Sequence, residues 1–215
     1  MAKRTNAFCC SLLMRAFILI FMVVSVCLMI AIVAVAQEKP IPQVDNANQV
    51  LRDIRTPDIL FVPTPYVVVD KMLELAEVKK SDVIYDLGCG DGRIVIKAAT
   101  RYGCHGVGYD IDPARVIESM KNVKANNVQD LVRIEQKDIF TLDLSKATVI
   151  TLYLLSSLNV QLIPQLQNCK PGTRIVSHDF NMQGIATPNK STEVADEEGS
   201  LHQVYLWITP LKMNE

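Results

Sequence analysis

A short apolar run, VIYDL (Val83–Leu87), breaks directly into GCGDGR, with glycines at Gly88, Gly90 and Gly92. That junction constrains the fold more than any other stretch of the chain. Five residues rich in β-branched and aromatic side chains predict a buried strand. Glycines at alternate positions suit neither a strand nor a helix. They suit a turn whose backbone takes unusual φ values and lets another group approach closely. RIVIKAATRY (Arg93–Tyr102) follows with helical spacing, and Gly103 punctuates its end. Strand, glycine turn and helix in that order open a parallel α/β unit, and ligands in open α/β sheets sit at such turns.

The pattern then repeats. HGVGYDI, residues 105–111, predicts a second strand. Asp112-Pro113 predicts a helix start, with Asp at the N-cap and Pro at the first helical position, and that helix runs to about Asn126. LVRIEQKDI (131–139) reads as a third strand and ATVITLYLL (147–155) as a fourth, the most apolar. LNVQLIPQLQNC predicts a helix interrupted near Pro164, and TRIVSHDF (173–180) a fifth strand. STEVAD and LHQVYLWIT, joined through EEGS, carry a hairpin signal, with Tyr205 and Trp207 as core or sheet-face residues. Upstream, residues 66–78 read as a helix. The alternation predicts an α/β fold: a doubly wound, Rossmann-like, mostly parallel sheet with an antiparallel C-terminal hairpin.

The front of the chain is different. Residues 16–36 carry no charge and are long enough to span a bilayer, with Lys3, Arg4 and Arg15 before them. Ala34-Val35-Ala36 is also a pattern that a signal peptidase cuts before Gln37. Residues 1–36 are therefore read as a hydrophobic helix serving as membrane anchor or signal peptide, 37–62 as a linker or cap segment, and 63–215 as the domain. Basic residues nearly balance across the span, so charge decides little about orientation, with Arg15 leaning the N-terminus inside. The formal net charge is −1 and no basic block stands out, so no nucleic-acid footprint is expected. Six cysteines, three of them in the leader and none in a CxxC pair, argue against a zinc knuckle or a disulfide framework.

The glycine turn does not match the dinucleotide pattern GxGxxG, and it lacks the lysine and hydroxyl of a P-loop. Asp110, at the end of the second strand, lies 22 residues after Gly88, where a carboxylate accepts both hydroxyls of a ribose. Asp138 ends the third strand, within reach of an adenine edge. Glycine loop, ribose acid and adenine acid thus arrive in order at three successive strand ends. DLGCGDG with these acids resembles motif I of the class I, seven-stranded S-adenosylmethionine-dependent methyltransferases, over about residues 63–208. FVPTPYVVVDKML, DLGCGDGRIVIKAA and CKPGTRIVSHDF are similar to a narrower group. It includes the membrane-anchored ATP-synthase c-subunit lysine methyltransferase family and histone lysine methyltransferases of the telomeric-silencing type.

The resemblance implies S-adenosylmethionine as cofactor and a protein lysine as acceptor, with a small-molecule acceptor or an inactive cofactor-binding scaffold as rivals. It places Asp86, Gly88, Gly90 and Gly92 on the methionine part, Asp110 on the ribose, and Asp138 with Ile139 at the adenine. Thr64 and Tyr66 close over the cofactor, and Tyr153 and Asn159 stand on the acceptor side as candidate catalytic residues. A cofactor made in the cytosol implies a domain tethered on the cytosolic side, the alternative being an exported, cleaved chain. Ser177-His178-Asp179 is not expected to act as a triad, because neighbours on a strand point to opposite faces. His105 and His202 read as isolated, and no metal constellation is expected.

Overall fold

The structure, a computed structural model, describes residues 56–214. The hydrophobic segment 16–36, with its anchor or signal reading, lies outside the described residues. Among the described residues no helix is long and apolar enough to cross a membrane.

The chain enters through helix α1 (Tyr66–Leu75), then β1 (Val83–Leu87), α2 (Arg93–Tyr102), β2 (His105–Asp110), α3 (Pro113–Ala125) and β3 (Val132–Gln136). A 3-10 turn (Ile139–Thr141), β4 (Val149–Leu152), α4 (Ser156–Gln167) and β5 (Arg174–His178) follow. The tail holds β6 (Ala186–Thr187), β7 (Lys190–Ala195), β8 (Leu201–Ile208) and β9 (Lys212–Met213). Seven strands form one sheet in the order β3-β2-β1-β4-β5-β8-β7, and β6 pairs with β9 in a separate ribbon. The five strands β1–β5 are mutually parallel; β8 runs antiparallel to β5 and pairs with β7 as a hairpin. After β3 the chain crosses back to place β4 on the other side of β1. That reversal opens a crevice above β1 and β4, where open α/β sheets bind ligands.

Alternation along each strand feeds two cores. Ile84, Val149, Val176 and Val204 face α1, α2 and α3; Leu87, Ile150, Ile175 and Trp207 face α4. Asp112 caps α3 by accepting from the Ala114 N–H at 2.8 Å, with Pro113 first in the helix. Several boundaries differ from the sequence reading. β3 stops at Gln136, because Asp138 accepts from the Phe140 N–H and winds the chain into the 3-10 turn. α1 ends at Leu75. α4 runs unbroken through Pro164. The proline forfeits one backbone hydrogen bond, while Leu158, Leu162, Ile163 and Leu166 stay buried against the sheet on both sides of it.

Candidate active site

The glycine turn leaves β1 with Gly88, Gly90 and Gly92 at φ 81°, 54° and 80°. The N–H groups of Gly88 and Cys89 both donate to the Tyr109 carbonyl, each at 2.9 Å, so β2 holds the turn in place. Gly92 is the left-handed N-cap of α2. A Cβ on Gly90 would stand 2.1 Å from the ring of Phe61, so only glycine lets that ring lie on the loop. Arg93 grips Asp91 through two nitrogens and donates to the Thr64 carbonyl at 2.8 Å. This fastens the loop to the segment that precedes α1.

Two buried carboxylates stand beneath the loop. Asp86 Oδ1 accepts from the Thr151 hydroxyl at 2.6 Å, while its buried Oδ2 has no hydrogen-bond partner among the described residues. Desolvation pushes this carboxyl up to about 7, and the nearby Asp110 and Asp91 charges push the same way against the Thr151 hydrogen bond. Asp110 accepts from the Gly90 N–H at 2.8 Å and the Asp112 N–H at 2.9 Å. Burial raises its carboxyl too, and those backbone bonds hold the rise in check.

Above them lies a cavity of about 900 Å³, its solvent mouth included. Thr64, Asp86, Gly88, Asp110, Asp138, Ile139 and Tyr153 all line it, and among the described residues its wall carries six aspartates and two arginines. Residues 57–62, expected only as linker or cap, form one of its walls. The lone sequence hint was the run FVPTPY.

Other expected site residues fall elsewhere. Gly90 and Gly92 are not in the lining: Phe61 covers the first, and the second packs against Ser119 of α3. Tyr66 lies outside the cavity, exposed, with the Arg93 guanidinium 5.1 Å from its ring centre. It opens α1, whose inward face is taken by Val68, Val69, Met72 and Leu73. Asn159 is fully buried in α4 and donates to the Phe180 carbonyl at 3.0 Å and to Ser177 Oγ at 3.3 Å. It anchors the end of β5 and does not reach the cavity.

Ser177 does point away from its neighbour, toward α4. His178 and Asp179, however, do meet, at 3.2 Å. β5 ends at His178, and Asp179 takes φ 56°, which swings its carboxylate back. His202 is not isolated either: its Nδ1 lies 3.0 Å from both His178 Nε2 and Asp179 Oδ2. The described residues thus contain a group of possible metal ligands that the sequence did not lead one to expect, because β8 runs antiparallel beside β5 and the His202 ring reaches the end of that strand.

A seven-stranded sheet with one reversed strand, a triple-glycine turn after β1 and an acid at the end of β2 define a class I S-adenosylmethionine-dependent methyltransferase. Comparison with known proteins agrees. The ANTKMT methyltransferase domain matches residues 86–189. A protein-lysine N-methyltransferase of Saccharolobus islandicus (strain REY15A) is 42% identical over 155 residues, 71% of this chain and 94% of that protein. The crystal structure of an RNA methyltransferase from Salinibacter ruber in complex with S-adenosyl-L-homocysteine is 52% identical. It covers 72% of this chain and 97% of its own, with a TM-score of 0.65. The ribosomal protein L11 methyltransferase of Actinobacillus succinogenes is 34% identical over 103 residues, 33% of its length. The chain belongs to the ANTKMT methyltransferase family.

The residues present fit the cofactor. Asp86 Oδ2, buried and unpartnered in the cavity wall, suits a cationic amino group. Asp110 accepts from backbone N–H groups through both oxygens, and a carboxylate with about four lone-pair sites keeps capacity for a ribose hydroxyl.

Proposed function

We propose that this methyltransferase modifies the ε-amino group of a lysine in a protein held near a membrane. The observation that carries the reading is the cavity lining, in which Asp58, Asp86, Asp91, Asp110, Asp112 and Asp138 outnumber Arg93 and Arg115. An open, acidic cavity attracts a cationic side chain and repels a polyanion. The 42% identical protein-lysine N-methyltransferase supports the same acceptor.

S-adenosylmethionine supplies an electrophilic methyl group on a sulfonium sulfur. The protein's part is to bind, align and exclude water. Asp86 and Asp110 hold the two polar ends, while Ile139 and Leu154 give the cavity apolar wall. Tyr153, stacked on His178 with ring centres 3.9 Å apart, is a fixed aromatic wall on the acceptor side of β4. A lysine must lose its proton before it attacks, and an aromatic wall that sheds water favours the neutral amine.

Residues 16–36 serve in this reading as the tether, with the domain on the cytosolic side, where the cofactor is made. A reporter fused after Glu215 tests that orientation; signal only from outside the membrane would contradict it. The 52% identical structure described as an RNA methyltransferase favours one rival, an RNA acceptor. One experiment separates the two. The full chain is given methyl-labelled S-adenosylmethionine and membrane and soluble extracts, with Asp110→Ala as control. Label that survives ribonuclease, is lost to protease and yields methyl-lysine on hydrolysis supports the proposal. Label lost to ribonuclease would replace it with the RNA reading, and label only in small molecules would replace both.

A further inference from the structure

We propose that His178, Asp179 and His202 form a binding site for one divalent transition-metal ion, best suited to Zn²⁺, beside the cavity. The three candidate ligand atoms make a nearly equilateral triangle. His178 Nε2 to His202 Nδ1 is 3.0 Å, His202 Nδ1 to Asp179 Oδ2 is 3.0 Å, and His178 Nε2 to Asp179 Oδ2 is 3.2 Å. Bonds of about 2.0 Å to a tetrahedral zinc ion put neighbouring ligands about 3.3 Å apart, so the edges fit with little adjustment. Two imidazoles and a carboxylate are a zinc donor set that leaves a fourth position open.

The surroundings are those of metal ligands. Asp179 Oδ1 accepts from the Gln203 N–H at 2.8 Å, which leaves only Oδ2 facing the triangle. His202 turns its other nitrogen, Nε2, to Asp196 Oδ2 at 3.3 Å. His178 turns Nδ1 to the Thr64 hydroxyl at 3.3 Å. Partners on the far nitrogen fix the tautomer and aim the lone pair inward, as outer-shell groups around metals do. The Tyr153 ring stacks on His178 and locks its plane.

Proton counting points the same way. With Nε2–H of His202 donated to Asp196, a neutral His202 presents a lone pair at Nδ1. That lone pair faces the carboxylate oxygen at 3.0 Å, a repulsive contact unless a positive charge lies between them. A proton on Nδ1 relieves the two edges that meet there and leaves His178 Nε2 facing Asp179 Oδ2 at 3.2 Å, lone pair to lone pair; a divalent ion relieves all three. His178 is fully buried, while Asp179 is partly exposed, which gives an ion a way in from solvent. An ion there ties β5, β8 and the 196–200 turn to Thr64 and Tyr153, which line the cavity.

The test is a titration of the chelator-stripped full-length chain with Co²⁺, followed by visible absorption and competition with Zn²⁺. The expected result is one equivalent bound with tetrahedral nitrogen/oxygen bands, displaced by Zn²⁺. His202→Ala and Asp179→Asn should lose the bands. Asp196→Asn should weaken affinity roughly 10- to 100-fold, as loss of an outer-shell partner does. Zn²⁺ should also raise the melting temperature of the wild type and leave that of His202→Ala unmoved. Absence of Co²⁺ bands in the wild type would overturn the proposal, whatever the variants do. So would thiolate charge-transfer bands, which would place the ion on cysteines, or bands unchanged in His202→Ala.

Discussion

Asp86 is where a single side chain carries the clearest consequence. Its folded carboxyl titrates near 7 because burial disfavours the charge, whereas the unfolded one titrates near 3.8. A raised carboxyl binds its proton more tightly in the folded state. Its contribution to stability is therefore fully present below about 3.8 and is lost as pH rises through about 7. The ligand-free protein should lose stability across that window, by up to about 1.4 kcal/mol per pH unit at the steepest. Cofactor binding should run the other way. The cofactor's amino cation pairs with the carboxylate, so affinity for S-adenosylhomocysteine should rise about tenfold per unit below pH 7 and level off above it. Asp86→Asn keeps the acceptor for the Thr151 hydroxyl and removes the titration. Both slopes should flatten in that variant, read by denaturant melts and calorimetry from pH 5 to 8; slopes equal to wild type would assign the dependence to another group.

At the scale of elements, the two ends of the sheet divide the work. The carboxyl ends hold the cavity; the opposite end holds a network that only stabilises. Arg174, opening β5, pairs with Asp82 before β1 and donates to the Ala76 and Glu77 carbonyls after α1 at 2.8 and 3.0 Å. The Thr148 hydroxyl donates to the same carboxylate at 2.7 Å. Arg174→Met leaves a nearly buried carboxylate without its cation, at a cost of about 3–5 kcal/mol. Chemical unfolding should show that loss, while cofactor affinity at the far end stays within about twofold, since distant sites act nearly independently. A second element, residues 57–62, supports a further prediction. The Phe61 ring lies over Gly90 with the Arg115 guanidinium 4.9 Å from its centre, so it joins the loop to α3. Phe61→Ala should weaken S-adenosylhomocysteine about tenfold, the equivalent of roughly 1.4 kcal/mol of lost contact, mainly through faster release in stopped-flow. Unchanged release would mean this wall plays no part in retention.

These elements also show what a one-dimensional reading can reach. β1, the glycine turn, α2 and the Asp112-Pro113 cap were legible because each is specified by adjacent residues: strand period, φ demand, cap chemistry. Their order then implied the parallel sheet and the place of Asp86 and Asp110. The fates of Tyr66 and Asn159 were not legible. Each sits beside site residues in sequence, yet α1 turns Tyr66 outward and α4 turns Asn159 into the core. The triangle of His178, Asp179 and His202 is least visible of all. It depends on the register of β5 against β8 and on one left-handed residue, and neither leaves a local signature.

At the scale of the whole molecule, a sheet with a soluble cofactor's cavity follows an uncharged segment of 21 residues, 16–36. The two make one device if the segment concentrates the enzyme beside its acceptor. Tethering turns encounter into a local event with millimolar effective concentration, worth roughly 10²–10⁴ in apparent affinity without any new contact. Deleting residues 1–36 should therefore lower methylation of an acceptor protein embedded in the same vesicles by about 10²-fold at low enzyme concentration. Turnover of a soluble lysine peptide should stay within about twofold, because the described residues that line the cavity, from Pro57 onward, already form its wall. An equal fall on both acceptors would mean the segment supports the domain itself and not the encounter. A mature chain found to begin at Gln37 would mean that the segment is cut away. The acidic cavity would then have to find its lysine by diffusion, with a rate that falls steeply as salt is added.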